Sequence, residues 1–278
     1  MQTISLQSKS TFPTFWKSLL AGAAYAVTLA ITKLVLSQTV DARSFLWSFV
    51  GGTTTGLILG LLALSMSANW SRHMLVWGSI IFFNIASLAI EGRIFAPNLL
   101  KGSLIVLLIQ QLVVALATTW VIVKLFAPIV DTAPSTPIQR SWFSWLGRFV
   151  LSAMSYVFFY YFFGAINYLL VTGPYYKAHA GGLTVPAQSI IIQAELIRAV
   201  LIVFSVLPFL LNFPVNRKGK MWRTGLILFV VGGVTPLFVQ VGSLPSVVLA
   251  SSSVEIFCQN FFTGVVVARL MDRDITKQ

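Results

Sequence analysis

Eight apolar stretches, each long enough to cross a membrane as a helix, follow one another along the chain. About 20 residues of α-helix span the hydrocarbon core of a bilayer. The stretches cover residues 19–36, 45–66, 73–90, 104–126, 149–171, 189–209, 225–241 and 247–270. Their number and length predict an all-α fold, a polytopic transmembrane helical bundle of about eight membrane-spanning helices.

The composition leaves little room for a soluble part. Of the 278 residues, 57% are hydrophobic and 9% are charged, and the mean hydropathy is +0.86. So little polar surface does not cover a soluble globule of this size. We therefore expect residues 1–278 to form a single integral-membrane domain without a soluble domain.

The positive charge of the chain is explained by membrane topology. The net charge is +12, from 19 lysines and arginines against 7 acidic residues, a balance that in a soluble chain would suggest nucleic acid as a partner. With the N-terminus in the cytoplasm, most of the basic residues fall in cytoplasmic segments, among them Arg217, Lys218, Lys220 and Arg223. This asymmetry follows the positive-inside rule. It predicts two cytoplasmic termini, the lipid bilayer as partner, and no nucleic acid. It suits a bacterial inner membrane best, with an organelle of bacterial descent as the alternative.

Three ionisable residues lie at membrane depth: Glu195 and Arg198 in the sixth helix, and Glu255 in the eighth. A charged side chain at the bilayer centre costs roughly 2.5–3.5 kcal/mol on insertion scales, so these residues should face protein or water. Glu195 and Arg198 are three residues apart and can pair within one helix. This leaves Glu255 as the less compensated carboxylate and the first candidate for binding an ion or carrying a proton.

Polar residues around these three form a stripe on each helix. The stripes consist of Gln188, Glu195, Arg198 and Ser205 in the sixth helix and of Ser252, Glu255, Gln259 and Thr263 in the eighth. We expect them to face one cavity or each other as transport or ion-binding candidates. Between them, the segment GGVTP at 232–236 favours an opening in the seventh helix, because proline removes a backbone hydrogen bond. A clamp that only fastens helices to one another is the alternative for the same polar residues.

The connection before the sixth helix, at the predicted external side, contains Tyr175, Tyr176, Lys177 and His179. These four are candidates for an external lid, with an ordinary structured loop as the alternative. Glu91 and Arg93 end the third helix, where water can reach them, and they are interpreted as interfacial anchors.

Gly52, Gly56 and Gly60 follow each other at a spacing of four residues in the second helix. Small residues on one face allow another helix to approach closely. The stripe predicts helix packing, either within the chain or in a homodimer.

Conventional catalytic motifs are missing from the sequence. It has no HExxH, no GxSxG and no P-loop, and Cys258 is its only cysteine. We expect no metal, no cofactor and no catalytic residue, although a dyad of Glu195 and Glu255 beside Arg198 leaves acid and base chemistry on a lipid-soluble substrate as a minor alternative.

Two functions are favoured over such catalysis. The favoured one is a permease-like protein that moves an unknown small solute or ion along a polar path between helices 6, 7 and 8. The other is a non-catalytic membrane scaffold or assembly subunit, whose polar residues bind a membrane-protein partner.

Overall fold

The computed structural model describes residues 11–96, 103–130 and 140–272, and within these ranges the chain folds as long α-helices joined by short connections. The helices are α1 (Thr11–Val35), α2 (Ala42–Ala63), α3 (Trp70–Phe95), α4 (Leu104–Phe126), α5 (Trp142–Lys177), α6 (Gln188–Asn212), α7 (Arg217–Val239) and α8 (Ser246–Met271). All eight are long and apolar enough to cross a membrane. The predicted all-α bundle is confirmed. The terminal segments 1–10 and 273–278, predicted to be cytoplasmic, lie outside the described residues.

Several helices begin before the apolar stretch that predicted them, because a polar side chain caps their first turn. Asp41 accepts a hydrogen bond from the Ser44 amide at 2.8 Å, and Asn69 accepts one from the Arg72 amide at 3.0 Å. Such a cap satisfies a backbone donor that has no partner within the helix. The helical backbone therefore continues past the apolar part of the sequence.

Each odd-numbered helix packs beside the even-numbered helix that follows it, as a hairpin, and the four hairpins close a ring. Around this ring the helices follow the order α1, α2, α7, α8, α5, α6, α3, α4, and α4 returns to α1. One end of the bundle carries the connections within the hairpins. The other end carries the beginnings of the odd-numbered helices and the ends of the even-numbered ones.

Side chains at that second end fasten the last turn of α8. Lys220 forms a buried ion pair with Asp272, with 2.7 Å between Nζ and Oδ1. Arg148 donates to the Leu270 carbonyl at 2.7 Å, and Arg140 donates to the Met271 carbonyl at 3.2 Å. These contacts hold the beginnings of α5 and α7 against the end of α8.

Two helices are interrupted by a π-helical turn. In α7 the turn covers Val230–Val234, where the GGVTP segment predicted an opening. The backbone there widens but stays helical, and the Thr235 amide donates to the Val230 carbonyl. In α5 a second turn covers Tyr168–Thr172. A proline follows each turn, Pro236 in α7 and Pro174 in α5. Because proline has no N–H and crowds the preceding turn, the wider π-helical turn accommodates it.

The small-residue stripe of α2 packs inside the chain. A Cβ atom on Gly52 would lie 2.5 Å from Cβ of Tyr25, and one on Gly56 would lie 2.6 Å from Cβ of Ala21. Gly60 meets the Phe126 ring in the same way. The stripe was expected to pack either within the chain or in a homodimer. In the structure it packs within the chain, against α1 and α4.

Candidate functional site

A cavity of about 1190 Å³ lies at the end of the bundle that carries the connections within the hairpins. Every helix contributes to its wall, from Tyr25 of α1 and Ser44 of α2 to Glu255 of α8. Toward the other end the centre of the bundle is filled by buried apolar side chains, among them Trp77, Ile80 and Leu228. The cavity is therefore a deep pocket that is open at one end and sealed at the other.

Arg198 is at the centre of a charged cluster in the cavity wall. Its Nη1 donates to both Glu195 carboxylate oxygens at 2.7 and 2.8 Å, so the predicted pair within α6 is present. Its Nη2 lies 2.7 Å from Oε2 of Glu91, and its Nε donates to the Ser87 hydroxyl at 3.2 Å. The Tyr156 hydroxyl donates to Glu195 at 3.0 Å, and Glu195 is fully buried.

The interpretation of Glu91 as an interfacial anchor is wrong. Glu91 turns inward from the end of α3, lines the cavity and pairs with Arg198. Its side chain is 30% exposed, so it meets both the guanidinium and the space of the cavity. The chain contains three glutamates, Glu91, Glu195 and Glu255, and all three belong to this site.

Glu255 faces the cavity from α8, in a different setting from the other two glutamates. Its Oε2 accepts a hydrogen bond from Nδ2 of Asn167 at 2.5 Å. Its other oxygen lies beside Gly164 of α5, where an added Cβ would be 3.2 Å away. Ser252 and Gln259 line the same cavity from the same helix. Three of the four residues in the stripe predicted for α8 therefore meet at the cavity, and Thr263 is buried outside its wall.

The stripe predicted for α6 is divided. Arg198 reaches the cavity and Glu195 supports it from behind, whereas Gln188 lies outside the cavity wall, exposed, and donates to the Tyr161 hydroxyl at 3.0 Å. Helix α5 packs between α6 and α8, so the two stripes do not face each other directly. They meet only through the cavity and through side chains of α5.

Among the four lid candidates, Tyr176 reaches the cavity wall. It packs edge-on against Phe95, with ring centroids 6.4 Å apart, and against Tyr168. Tyr175 and Lys177 share its short helical segment outside the wall, and the His179 ring lies 3.2 Å from the Leu183 carbonyl. A lid role for these residues stays a prediction.

The π-helical turn of α7 forms part of the deep wall. Gly232, Gly233 and Pro236 line the cavity there. Asn260 of α8 donates to the Leu228 carbonyl at 3.1 Å, and the hydroxyls of Thr235 and Thr55 lie 2.7 Å apart. Polar side chains of neighbouring helices thus support the interrupted backbone, as the interior of a membrane requires.

Sequence reasoning missed the aromatic part of the wall. Tyr160, Tyr161 and Tyr168 of α5 line the cavity together with Tyr176 and Phe95. Within the aromatic-rich stretch of α5, nothing in the one-dimensional pattern marks which rings face inward and which face outward. Phe158 and Phe162 of the same stretch are exposed on the outside.

Eight long apolar helices, which surround a cavity lined in part by charged and polar side chains, define the chain as a multi-pass integral membrane protein. Comparison of the chain with protein-family models, with curated proteins and with solved structures finds no match.

Proposed function

We propose that this chain is a permease-like protein that moves a small solute or ion through the cavity around Glu255. The observation that carries the proposal is a cavity of about 1190 Å³ that reaches a carboxylate at membrane depth beside an interrupted helix. Interrupted helices line solute sites in many transporters, because their freed backbone groups are tolerated only next to protein or a wet cavity. Glu255 would be the ion or proton site.

The charged cluster would set the electrostatics of this path. Arg198 is held by Glu91 and Glu195, so the three groups together carry one formal negative charge. This cluster faces the same space as Glu255. The path is wider than a seam between α6, α7 and α8, since α5 and α3 supply Asn167, Tyr160 and Glu91 to the same cavity or to Glu255.

The sidedness follows the positive-inside rule. Both termini would be cytoplasmic in a bacterial inner membrane, and the cavity would open to the outside.

A membrane scaffold or assembly subunit is the second candidate, and the polar contacts inside the bundle favour it. Glu195 is fully buried with all of its partners inside the chain, and Ser79 donates across to the Ser205 carbonyl at 3.3 Å. Contacts of this kind fasten helices without any turnover.

Native mass spectrometry of the protein, extracted in mild detergent from its own membrane, separates the two candidates. The permease predicts a lone chain or a homodimer that carries a small molecule, and predicts that Glu255→Gln removes this molecule at an unchanged melting temperature. The scaffold predicts a stoichiometric protein partner, with loss of stability or of that partner in the variant. A variant that matches wild type in melting temperature, ligand and partners would contradict both roles of Glu255.

A further inference from the structure

The charged side chains that face the cavity are not equally available to a ligand. All three guanidinium nitrogens of Arg198 bind groups inside the protein: Ser87, Glu91 and Glu195. The rings of Tyr156 and Tyr160 cover it, with centroids 5.6 and 5.7 Å from its central carbon. An anionic ligand would have to displace a carboxylate from Arg198 in order to use its charge. The cluster therefore disfavours anions.

Glu255 is in the opposite situation. Its partner is a neutral amide, Asn167, and no ion pair formed between described residues includes it. Lys33 also lines the cavity, but it lies near the mouth, where its Nζ is 3.4 Å from the Ser44 hydroxyl. A carboxylate at membrane depth is stabilised by an opposite charge, and this one leaves a place for a positive charge in the cavity.

Gln259 supplies a second, independent pointer to a ligand. It lies on α8 one turn beyond Glu255, about 6 Å along the helix. Its side chain lines the cavity, is 4% exposed, and its Nε2 has no hydrogen-bond partner. A buried amide nitrogen without a partner is destabilising, and an acceptor oxygen on a ligand would supply the missing hydrogen bond.

Aromatic rings complete the surroundings. Tyr161 and Tyr168 line the wall on α5, the helix that also carries the Asn167 partner of Glu255. Aromatic faces attract cations, and quaternary ammonium ligands are recognised by aromatic rings in this way. A wide cavity with such walls suits an organic cation better than a bare metal ion, which needs a close shell of oxygen ligands.

We propose that the cavity binds a small organic monocation, with its charged nitrogen at Glu255, its apolar groups against the tyrosines, and an acceptor oxygen on the amide of Gln259. This rests on the proposed function, because it names the class of solute that the permease would carry.

Ligands of the same shape but different charge test directly whether the cavity recognises a positive charge. Choline and acetylcholine each have a neutral isostere of the same shape, 3,3-dimethylbutan-1-ol and 3,3-dimethylbutyl acetate, and 3,3-dimethylbutanoate supplies an anion. Binding to the purified full chain in detergent is measured by calorimetry. We expect at least one cation to bind about tenfold or more tightly than its isostere, a difference of about 1.4 kcal/mol, and we expect the anion not to bind. Absence of binding by both cations, or equal binding by the isosteres, overturns the proposal.

Two variants locate the site. Glu255→Gln should reduce the affinity of the cation to that of the isostere. Gln259→Leu should weaken choline several-fold, while Gln193→Leu, on the exposed face of α6 outside the cavity wall, should leave it unchanged. A cation preference that persists in Glu255→Gln places the charge recognition elsewhere and overturns the proposal. If a variant does not fold, the difference in affinity between cation and isostere for the wild-type protein still tests the proposal.

Flux across proteoliposomes separates this inference from the proposed function. Cation binding without any flux keeps the inference and rejects the permease. Flux of the anion or of the isosteres, with none of the cations, keeps the permease and rejects the inference.

Discussion

Arg198 holds two carboxylates with one guanidinium in a part of the bundle that water reaches only through the cavity. Removing one member of a buried charged cluster costs far more than the cluster contributes, because the remaining charges lose their partner. The two carboxylates that bind Arg198 differ in their exposure to the cavity. Glu195 is fully buried, whereas Glu91 is partly exposed to the cavity.

We expect Arg198→Met to destabilise the protein by about 3–5 kcal/mol, since it leaves Glu195 charged and enclosed. The double variant Glu195→Gln with Arg198→Met should recover a large part of this loss, because Glu91 can turn to the water of the cavity. Chemical unfolding in detergent measures both. If the double variant is no more stable than Arg198→Met, the buried charge of Glu195 is not the cause of the loss.

Asp41 makes a pH-dependent contribution at the beginning of α2. Its pKa lies below the usual value of 3.8, chiefly because the carboxylate accepts the Ser44 backbone hydrogen bond. A lowered pKa means that the cap is fully present above about pH 4 and is lost as the pH falls through the folded-state value. Hydrogen exchange should show the first turn of α2 losing protection below pH 4. Asp41→Asn, whose amide oxygen does not titrate, should keep its protection constant, and equal behaviour of the two proteins would contradict this role.

The sequence identified the pair within α6 and the exceptional position of Glu255, because both follow from helical spacing and from the cost of buried charge. It did not identify Glu91, which is near a helix end where a solvated position is the simpler expectation. The inward direction of Glu91 depends on how α3 packs against α6, and no local pattern contains that information. One signal was present: the chain has only three glutamates, and two of them were already assigned to the site.

At the scale of a helix, close packing requires glycine at particular positions. Gly56 faces α1 at a distance that leaves no room for a methyl group, while a Cβ on Gly147 of α5 would meet nothing within 4 Å. The two positions therefore form a matched pair for the same substitution.

Gly56→Ala should cost about 1–3 kcal/mol, because α1 and α2 must separate to admit the methyl group. Gly147→Ala should be neutral or stabilising by about 0.5–1 kcal/mol, since alanine favours the helix. Thermal unfolding of both variants in one detergent tests the pair, and equal melting temperatures would contradict the intimate packing of α1 on α2.

Gly232, in the cavity wall, is another position that has no room for a methyl group. A Cβ there would lie 2.5 Å from Oδ1 of Asn84, a buried side chain whose Nδ2 donates to the Ile80 carbonyl at 2.8 Å. Gly232→Ala should therefore lower stability and displace the π-helical turn from α3, again with Gly147→Ala as the control. A crystal structure or cryo-EM map of Gly232→Ala with an unchanged turn and an unchanged melting temperature would show that this contact does not hold α7.

The helices themselves were predictable, because apolar length alone marks a membrane span. The place where α7 departs from a regular α-helix was also predictable from its paired glycines and proline. The π-helical turn of α5 was missed, although Gly173 and Pro174 follow it, because its apolar run continues to Val171 without a break. A proline near a helix end is compatible with a simple stop, so it indicated the end of the span instead of a wider turn.

Four hairpins in a closed ring enclose the cavity that contains Glu255. Their order around the ring could not be predicted, since any apolar hairpin can lie beside any other in lipid. The order is decided by specific contacts such as Thr55 with Thr235 and Arg198 with Glu91, which join helices far apart in sequence. The cavity is a consequence of this order.

A solute path needs water at the cavity and access from the other end in a second conformation. Three positions on α8 can be used to measure water access to the cavity and access from the other end. Ser252 lines the cavity, its neighbour Ser253 lies outside the cavity wall, and Thr263 is fully buried one turn beyond Gln259.

The most direct measurement is the reaction of single cysteines at these positions, in a Cys258→Ser background, with a membrane-impermeant thiol reagent applied to each side of oriented vesicles. We expect Ser252→Cys to react from the side where the cavity opens and Ser253→Cys to remain unreactive. Thr263→Cys should react from the opposite side alone, at a slower rate set by the population of the second conformation. An unreactive Ser252→Cys, or a Thr263→Cys that never reacts from the opposite side, would contradict a solute path through this cavity.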